Sequence, residues 1–189
     1  MKKETILIVV LTLIVGLLIG ILVTKGGKKT GTAPAGAPAT APAVNYQQNI
    51  KMLEGIVAKD PANRNAWVEL GHNYFDSDQP VKAIEAYDKA LELDPSDPNV
   101  LTDQGVMFRR LGWFDRALEN FKKAHELDPS HRQSLYNLGI VYRYDLQDFE
   151  KAREAWAKFL ALSPSGPGSD QVRAELEVLN TLPGIPKPE

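Results

Sequence analysis

Between residues 64 and 166 the chain repeats itself at an interval of 34 residues, and that interval restricts the fold more than any other feature. Trp67, Leu70, Gly71, Tyr74, Ala83, Tyr87, Ala90 and Pro95 are answered by Leu101, Gln104, Gly105, Phe108, Ala117, Phe121, Ala124 and Pro129. A third pass reads Leu135, Leu138, Gly139, Tyr142, Ala152, Trp156, Phe159 and Pro164, with one extra residue between Tyr142 and Ala152. A period of this size marks stacked structural units, none of which buries its apolar stripe alone.

Within each unit the first four positions step by three, one and three, and the next three by four and three, so each unit is expected to be two amphipathic helices. Gly71, Gly105 and Gly139 are expected to face Ala83, Ala117 and Ala152, small against small, with aromatic residues filling the flanks. Asp94-Pro95, Asp128-Pro129 and Ser163-Pro164 should end the second helices, because proline lacks a donor N–H and restricts its predecessor. Asp97 before Pro98 reads as an N-cap with proline at the first helical position.

These residues resemble the tetratricopeptide repeat (TPR) family, whose pattern of tryptophan, leucine-glycine, tyrosine, alanine, phenylalanine, alanine and proline they follow. The first repeat keeps every signature position, with tyrosine for phenylalanine at Tyr87. Gln104 departs from the expected leucine and Phe159 from the second alanine; a large residue at Phe159 suggests that something other than a full repeat follows. The expected fold is an all-α helical solenoid of three full repeats, at 64–97, 98–131 and 132–166. Residues 45–61 read as half a repeat, a lone helix with Ile50, Leu53, Ile56 and Val57 on one side that covers the first full unit. Past the break at Ser165-Gly166-Pro167-Gly168, Ser169 is expected to cap a terminal helix over 169–182, with Val172, Leu176 and Leu179 toward the repeats and a frayed tail at 183–189.

Upstream the composition changes. After a short tail at 1–4, residues 5–24 hold fifteen Leu, Ile and Val and no charge, which is long enough to span the ~30 Å hydrocarbon core. At roughly 0.3–0.6 kcal/mol each, they bound insertion at about 5–9 kcal/mol. The alternative is a cleaved signal peptide, but the run is longer than the usual h-region, and Lys25, Gly26, Gly27, Lys28 and Lys29 stand where small cleavage-site residues belong. A single-pass bacterial inner-membrane anchor with the C-terminal domain periplasmic is therefore expected. Lys2 and Lys3 before the span against Lys25, Lys28 and Lys29 after it lean the other way, and the orientation rests on the anchor's place at the extreme N-terminus, like an export signal left uncut. Thr12, Gly16 and Gly20 form a small-residue stripe that would permit anchors to pair, against the plainer reading of a lipid-facing helix. Residues 25–44, rich in Gly, Ala and Pro, read as a linker reaching about 25 Å as a coil and ~60 Å if polyproline-like.

Catalysis finds no support. His72, His125 and His131 lack metal-ligand spacing, there is no cysteine and no phosphate loop, so no metal, cofactor or enzyme activity is expected. Residues 45–189 carry 17 Lys and Arg against 23 Asp and Glu, a net of −6 that argues against nucleic acid. A protein partner remains.

In the resembled family the concave wall is lined mainly by first helices, and partner peptides or helices bind there. Carried over by position, that wall would present Val68, His72 and Phe75, then Thr102, Val106 and Arg109, then Tyr136, Ile140 and Arg143, an apolar surface with a basic edge. Val106 and Ile140 are equally well read as packing residues. Arg109, Arg110 and Arg143 would meet acidic groups of a ligand or pair with Asp103 and Glu69 nearby. The family's carboxylate clamp is not expected, since Val68 and His72 occupy the places of its lysine and asparagine. The layout of anchor, linker and repeats resembles the membrane-bound TPR proteins of bacterial cytochrome c maturation, and equally the translocon-associated periplasmic TPR chaperones. It implies a tethered adaptor or assembly factor, with a self-assembling scaffold as the alternative.

Overall fold

Capping residues and prolines set the helix boundaries. The computed structural model describes residues 45–181, which form eight α-helices and, among the described residues, no strand. They are α1 (Tyr46–Lys59), α2 (Arg64–Asp76), α3 (Pro80–Leu93), α4 (Pro98–Arg110), α5 (Phe114–Leu127), α6 (Arg132–Ile140), α7 (Phe149–Leu162) and α8 (Pro167–Thr181), with a π-helical turn at Val141–Asp145 continuing α6. Asp97 Oδ1 accepts from the backbone N–H groups of Asn99 and Val100 at 2.9 and 3.2 Å, ahead of Pro98, as its sequence position requires. Asn45 and Asn63 cap α1 and α2 in the same manner. Each helix packs on the next in chain order, which is the solenoid. The expected membrane span with Thr12, Gly16 and Gly20, the linker and the C-terminal tail lie outside the described residues. Among the described residues no helix is long and apolar enough to cross a membrane.

The repeat glycines serve a different neighbour from the one expected. A Cβ on Gly71 would meet the Tyr87 ring at 2.4 Å, one on Gly105 the Phe121 ring at 2.6 Å, and one on Gly139 the Trp156 indole at 2.0 Å. Small residues are needed because a ring of each second helix reaches the first helix at that point, closer than a Cβ would allow. Tyr87, Phe121 and Trp156 are accordingly fully buried.

The turn between the two helices of each repeat explains the extra residue in the third. Asp78, Gly112 and Gln147 occupy the same repeat position, and all have left-handed backbones, with φ of 57°, 76° and 56°. In the first two turns the N–H of the following residue donates to a carbonyl five residues back, Gln79 to Tyr74 and Trp113 to Phe108, both at 2.9 Å, closing the helix end. In the third, Asp148 donates to Tyr142, six residues back, at 2.8 Å. The insertion is thus absorbed as a π-turn, and α7 keeps its place.

Gln104 replaces a core leucine without leaving an unsatisfied amide. It is only 3% exposed. Its Nε2 donates to Asp88 Oδ1 at 2.7 Å, and its Oε1 accepts from Asn120 Nδ2 at 2.8 Å. One buried side chain thereby bridges the second helices of two repeats.

The two ends of the array differ. α8 seats Val172 and Leu179 fully buried, and its Gly168 comes up against Phe159, the large residue expected to mark the end of the repeats. The helix begins at Pro167, so Ser169 lies inside the first turn instead of capping it; its hydroxyl donates to the Ser163 carbonyl at 2.5 Å. Arg153, nearly buried, donates to the Leu179 carbonyl at 3.0 Å and ties α7 to the end of α8. At the other end α1 buries Ile50, Leu53 and Val57, but Ile56 is 37% exposed and Met52 58%, because no first helix precedes α1 among the described residues.

Candidate peptide-binding groove

The first helices α2, α4 and α6 carry the wall expected to meet a partner, and α4 and α6 touch each other directly. At its first end, Tyr46, Glu69, His72, Asn73, Phe75, Asp76, Tyr87 and Asp103 line a cavity of about 480 Å³ between α1, α2, α3 and α4. His72 Nε2 stands 3.2 Å from Asp103 Oδ2. That hydrogen bond raises the imidazole above its ordinary value, against the opposing effect of burial. The His72 ring meets Tyr87 edge to face at 5.8 Å between centroids. Tyr87 is fully buried, yet its hydroxyl has no hydrogen-bond partner among the described residues. Burial first, and then the negative charges of Asp103, Asp76 and Glu69, push its phenol upward. The carboxylates of Glu69 and Asp76 make no ion pair among the described residues.

The basic edge expected from Arg109, Arg110 and Arg143 is already neutralised. Arg109 forms a two-pronged pair with Asp145 in the π-turn, Nε to Oδ2 at 2.5 Å and Nη2 to Oδ1 at 3.2 Å. Arg110 pairs with Asp78 at 3.0 Å while lying 4.8 Å over the Phe75 ring. Arg143 faces Glu175 of α8 at 3.8 Å and sits about 5 Å from the rings of Tyr144 and Phe149. The Tyr144 hydroxyl also donates to Glu175. The partners are therefore not Asp103 and Glu69, as proximity in the repeat pattern suggests. They come from the turns and the terminal helix, whose positions only the folded array determines.

The remaining wall residues divide. Val68, Val106 and Ile140 are half-buried and pack against the core. Thr102 does not reach the wall at all; at 2% exposure it is enclosed, and its hydroxyl has no partner among the described residues. Phe75 is half-buried in the first cavity. Tyr136 stacks at a tilt on Phe159, 5.7 Å between centroids, and opens onto a second cavity of about 300 Å³ that includes Arg132, Gln133 and Gln171. Tyr46, Glu69, Asp76, Tyr87 and Asp103 were not among the residues expected to face a ligand. One signal for them was present in the sequence: Tyr87 carries a hydroxyl where the second repeat has Phe121. Among the described residues no group of His, Cys, Asp or Glu is placed to hold a metal ion.

Comparison with known proteins agrees with this geometry. The tetratricopeptide repeat profile matches residues 65–97, and a second profile of the same repeat matches 102–167. No curated protein matches the chain by sequence. Among solved structures, a crystal structure of MamA is 22% identical, with 70% of this chain and 80% of that one aligned at a TM-score of 0.63. The TPR domain of Arabidopsis OM64 is 18% identical over 69% and 98% of the two chains, at a TM-score of 0.56. YrrB, described as a TPR protein with an unusual peptide-binding site, is 26% identical over 68% of this chain and 66% of its own, at a TM-score of 0.63.

Proposed function

Because the chain belongs to the tetratricopeptide repeat family, a family of protein-interaction modules, we propose that it binds a segment of a partner protein along the wall formed by α2, α4 and α6. The observation that carries this reading is the pair of half-buried aromatic side chains on first helices, Phe75 and Tyr136, each opening onto a cavity, with Tyr46 of α1 lining the first of them. Aromatic groups in accessible clefts are the usual anchors of binding energy. YrrB, with a peptide-binding site of its own on the same architecture, supports the reading.

The apolar run at residues 5–24 and the linker at 25–44 support a tethered module that holds its partner near a membrane; the run's place at the extreme N-terminus, like an export signal left uncut, is the ground for putting the repeat domain on the periplasmic side. A role as adaptor or assembly factor follows from that layout; cytochrome c biogenesis and translocon-associated chaperoning are two settings that would use it. A second reading has its own observation. Met52 and Ile56 stand exposed at the open end of α1, where a second copy of the chain would find apolar surface, which favours a self-assembling scaffold.

Photocrosslinking in intact membranes separates these readings, with a photoreactive residue placed in turn at Phe75, Tyr136 and Met52. Capture of one defined partner from Phe75 and Tyr136 is the expected result. Self-capture from Met52 alone would favour the scaffold. Capture from neither wall position, while probes on exposed second-helix residues do capture partners, would refute the groove.

A further inference from the structure

The cavity at the first end of the wall has the wrong charge for an acidic ligand. Glu69, Asp76 and Asp103 face it, and among the described residues the only basic group lining it is His72, already held by Asp103. The nearby Arg110 adds no net charge, because Asp78 neutralises it. We propose that this cavity receives the lysine or arginine side chain of a cationic peptide segment in a partner protein, an inference that rests on the groove reading above and names the chemistry of its ligand.

Two further observations point to a ligand. The Tyr87 hydroxyl belongs to a fully buried residue that lines this cavity, and it has no partner among the described residues, which is costly unless something bound supplies one. An ammonium or guanidinium N–H would donate to that oxygen and to the carboxylates around it. The second is the chain's own precedent: the Arg110 guanidinium lies 4.8 Å over the Phe75 ring, so this corner of the wall already holds a cation by its aromatic face. A carboxylate-bearing ligand would instead meet three like charges, with the one imidazole already engaged by Asp103. The second repeat lacks the feature, since Phe121 has no hydroxyl.

The test uses the full chain, immobilised in detergent, and three equimolar mixtures of end-blocked nonapeptides. Every position is randomised over neutral residues except the central one, which is arginine, glutamine or glutamate. The arginine mixture should be retained about tenfold more strongly than the glutamine mixture, and the glutamate mixture least, a tenfold ratio being about 1.4 kcal/mol. Glu69→Gln with Asp103→Asn should bring arginine and glutamine to near equality. Asp76→Asn, an exposed position, should narrow the gap without affecting folding. Tyr87→Phe keeps the ring that packs on Gly71 and should weaken arginine retention by about three- to tenfold, while its melting temperature stays level or rises.

Equal retention of all three mixtures, preference for glutamate, or an arginine preference untouched by these substitutions would overturn the inference. So would retention of none. If peptides compete with crosslinking at Phe75 but show no preference for charge, the cationic ligand is refuted while the groove itself stands.

Discussion

Two glycine-to-alanine substitutions should shift stability in opposite directions, and the difference tests how the repeats pack. Gly139 and Gly55 both lie in regular helix, where alanine is intrinsically favoured by about 1 kcal/mol. At Gly55 a Cβ would find nothing within 4 Å, so the preference should appear nearly undiluted. Gly55→Ala should stabilise by about 0.5–1 kcal/mol. At Gly139 the same Cβ would lie 2.0 Å from Trp156 Nε1, in a fully buried indole that has no room to retreat. That nitrogen donates to the Tyr136 carbonyl at 3.2 Å, so displacing the ring also breaks a hydrogen bond. Overpacking costs about 1–3 kcal/mol and an orphaned buried donor about 1–3 more. Less the helix preference, Gly139→Ala should destabilise by about 1–5 kcal/mol, a fall of roughly 3–20 °C in melting temperature for a domain of this size. Thermal melts followed by far-ultraviolet circular dichroism, read against the unsubstituted chain, measure both. A Gly139→Ala variant that melts within two degrees or so of the parent would mean that the ring does not lie on the glycine. A Gly55→Ala variant that loses stability would mean that α1 has a neighbour on that side.

Gln147→Gly should stabilise the third repeat by about 0.5–1 kcal/mol in urea titration, because a left-handed backbone costs glutamine more than glycine; Gly112→Ala should lose about 1–2 kcal/mol for the converse reason. Arg109→Glu should destabilise by about 1–3 kcal/mol, since it replaces a two-pronged pair with a like charge facing the largely buried Asp145, and its urea midpoint should fall; an unchanged midpoint would return Arg109 to the role of a free groove residue. His72 has a raised pKa when folded, so its pair with Asp103 contributes stability that is complete below the ordinary imidazole value of 6.5 and is lost as pH rises through the folded value. The stability gap between the unsubstituted chain and Asp103→Asn should therefore be widest near about pH 5–6 and close at higher pH, and an NMR titration of His72 should move down in the variant. Gln104→Ala should cost about 1–3 kcal/mol by removing the bridge between Asp88 and Asn120 and opening a void between repeats.

The fold class was written in the sequence because a repeat protein encodes it several times over. Trp67, Leu70, Gly71 and Tyr74 lie on one helical stripe whatever surrounds them, and the prolines after Asp94 and Asp128 stop a helix through their own covalent geometry. Asp97 before Pro98 is equally local, and its cap formed where the spacing placed it. The extra residue in the third repeat was visible, but not its fate. Sequence spacing does not say whether an insertion lengthens a loop or widens a helical turn, and the π-turn at Val141–Asp145 depends on where α7 must return to pack. The groove was the least legible part for the same reason. Side chains at the same repeat position share a face, so Phe75 and Tyr136 could be placed by counting. Their charge partners could not be placed so: Arg109 finds Asp145, 36 residues away, and Arg143 finds Glu175 on a helix outside the repeat pattern. These ion pairs and cavities form where separate elements meet, and their distances depend on the angle and register at which units stack, quantities that no local pattern of residues carries. The periodic stripe thus determined the solenoid from within each helix, while stacking alone decided that its first cavity is acidic and its arginines are spoken for.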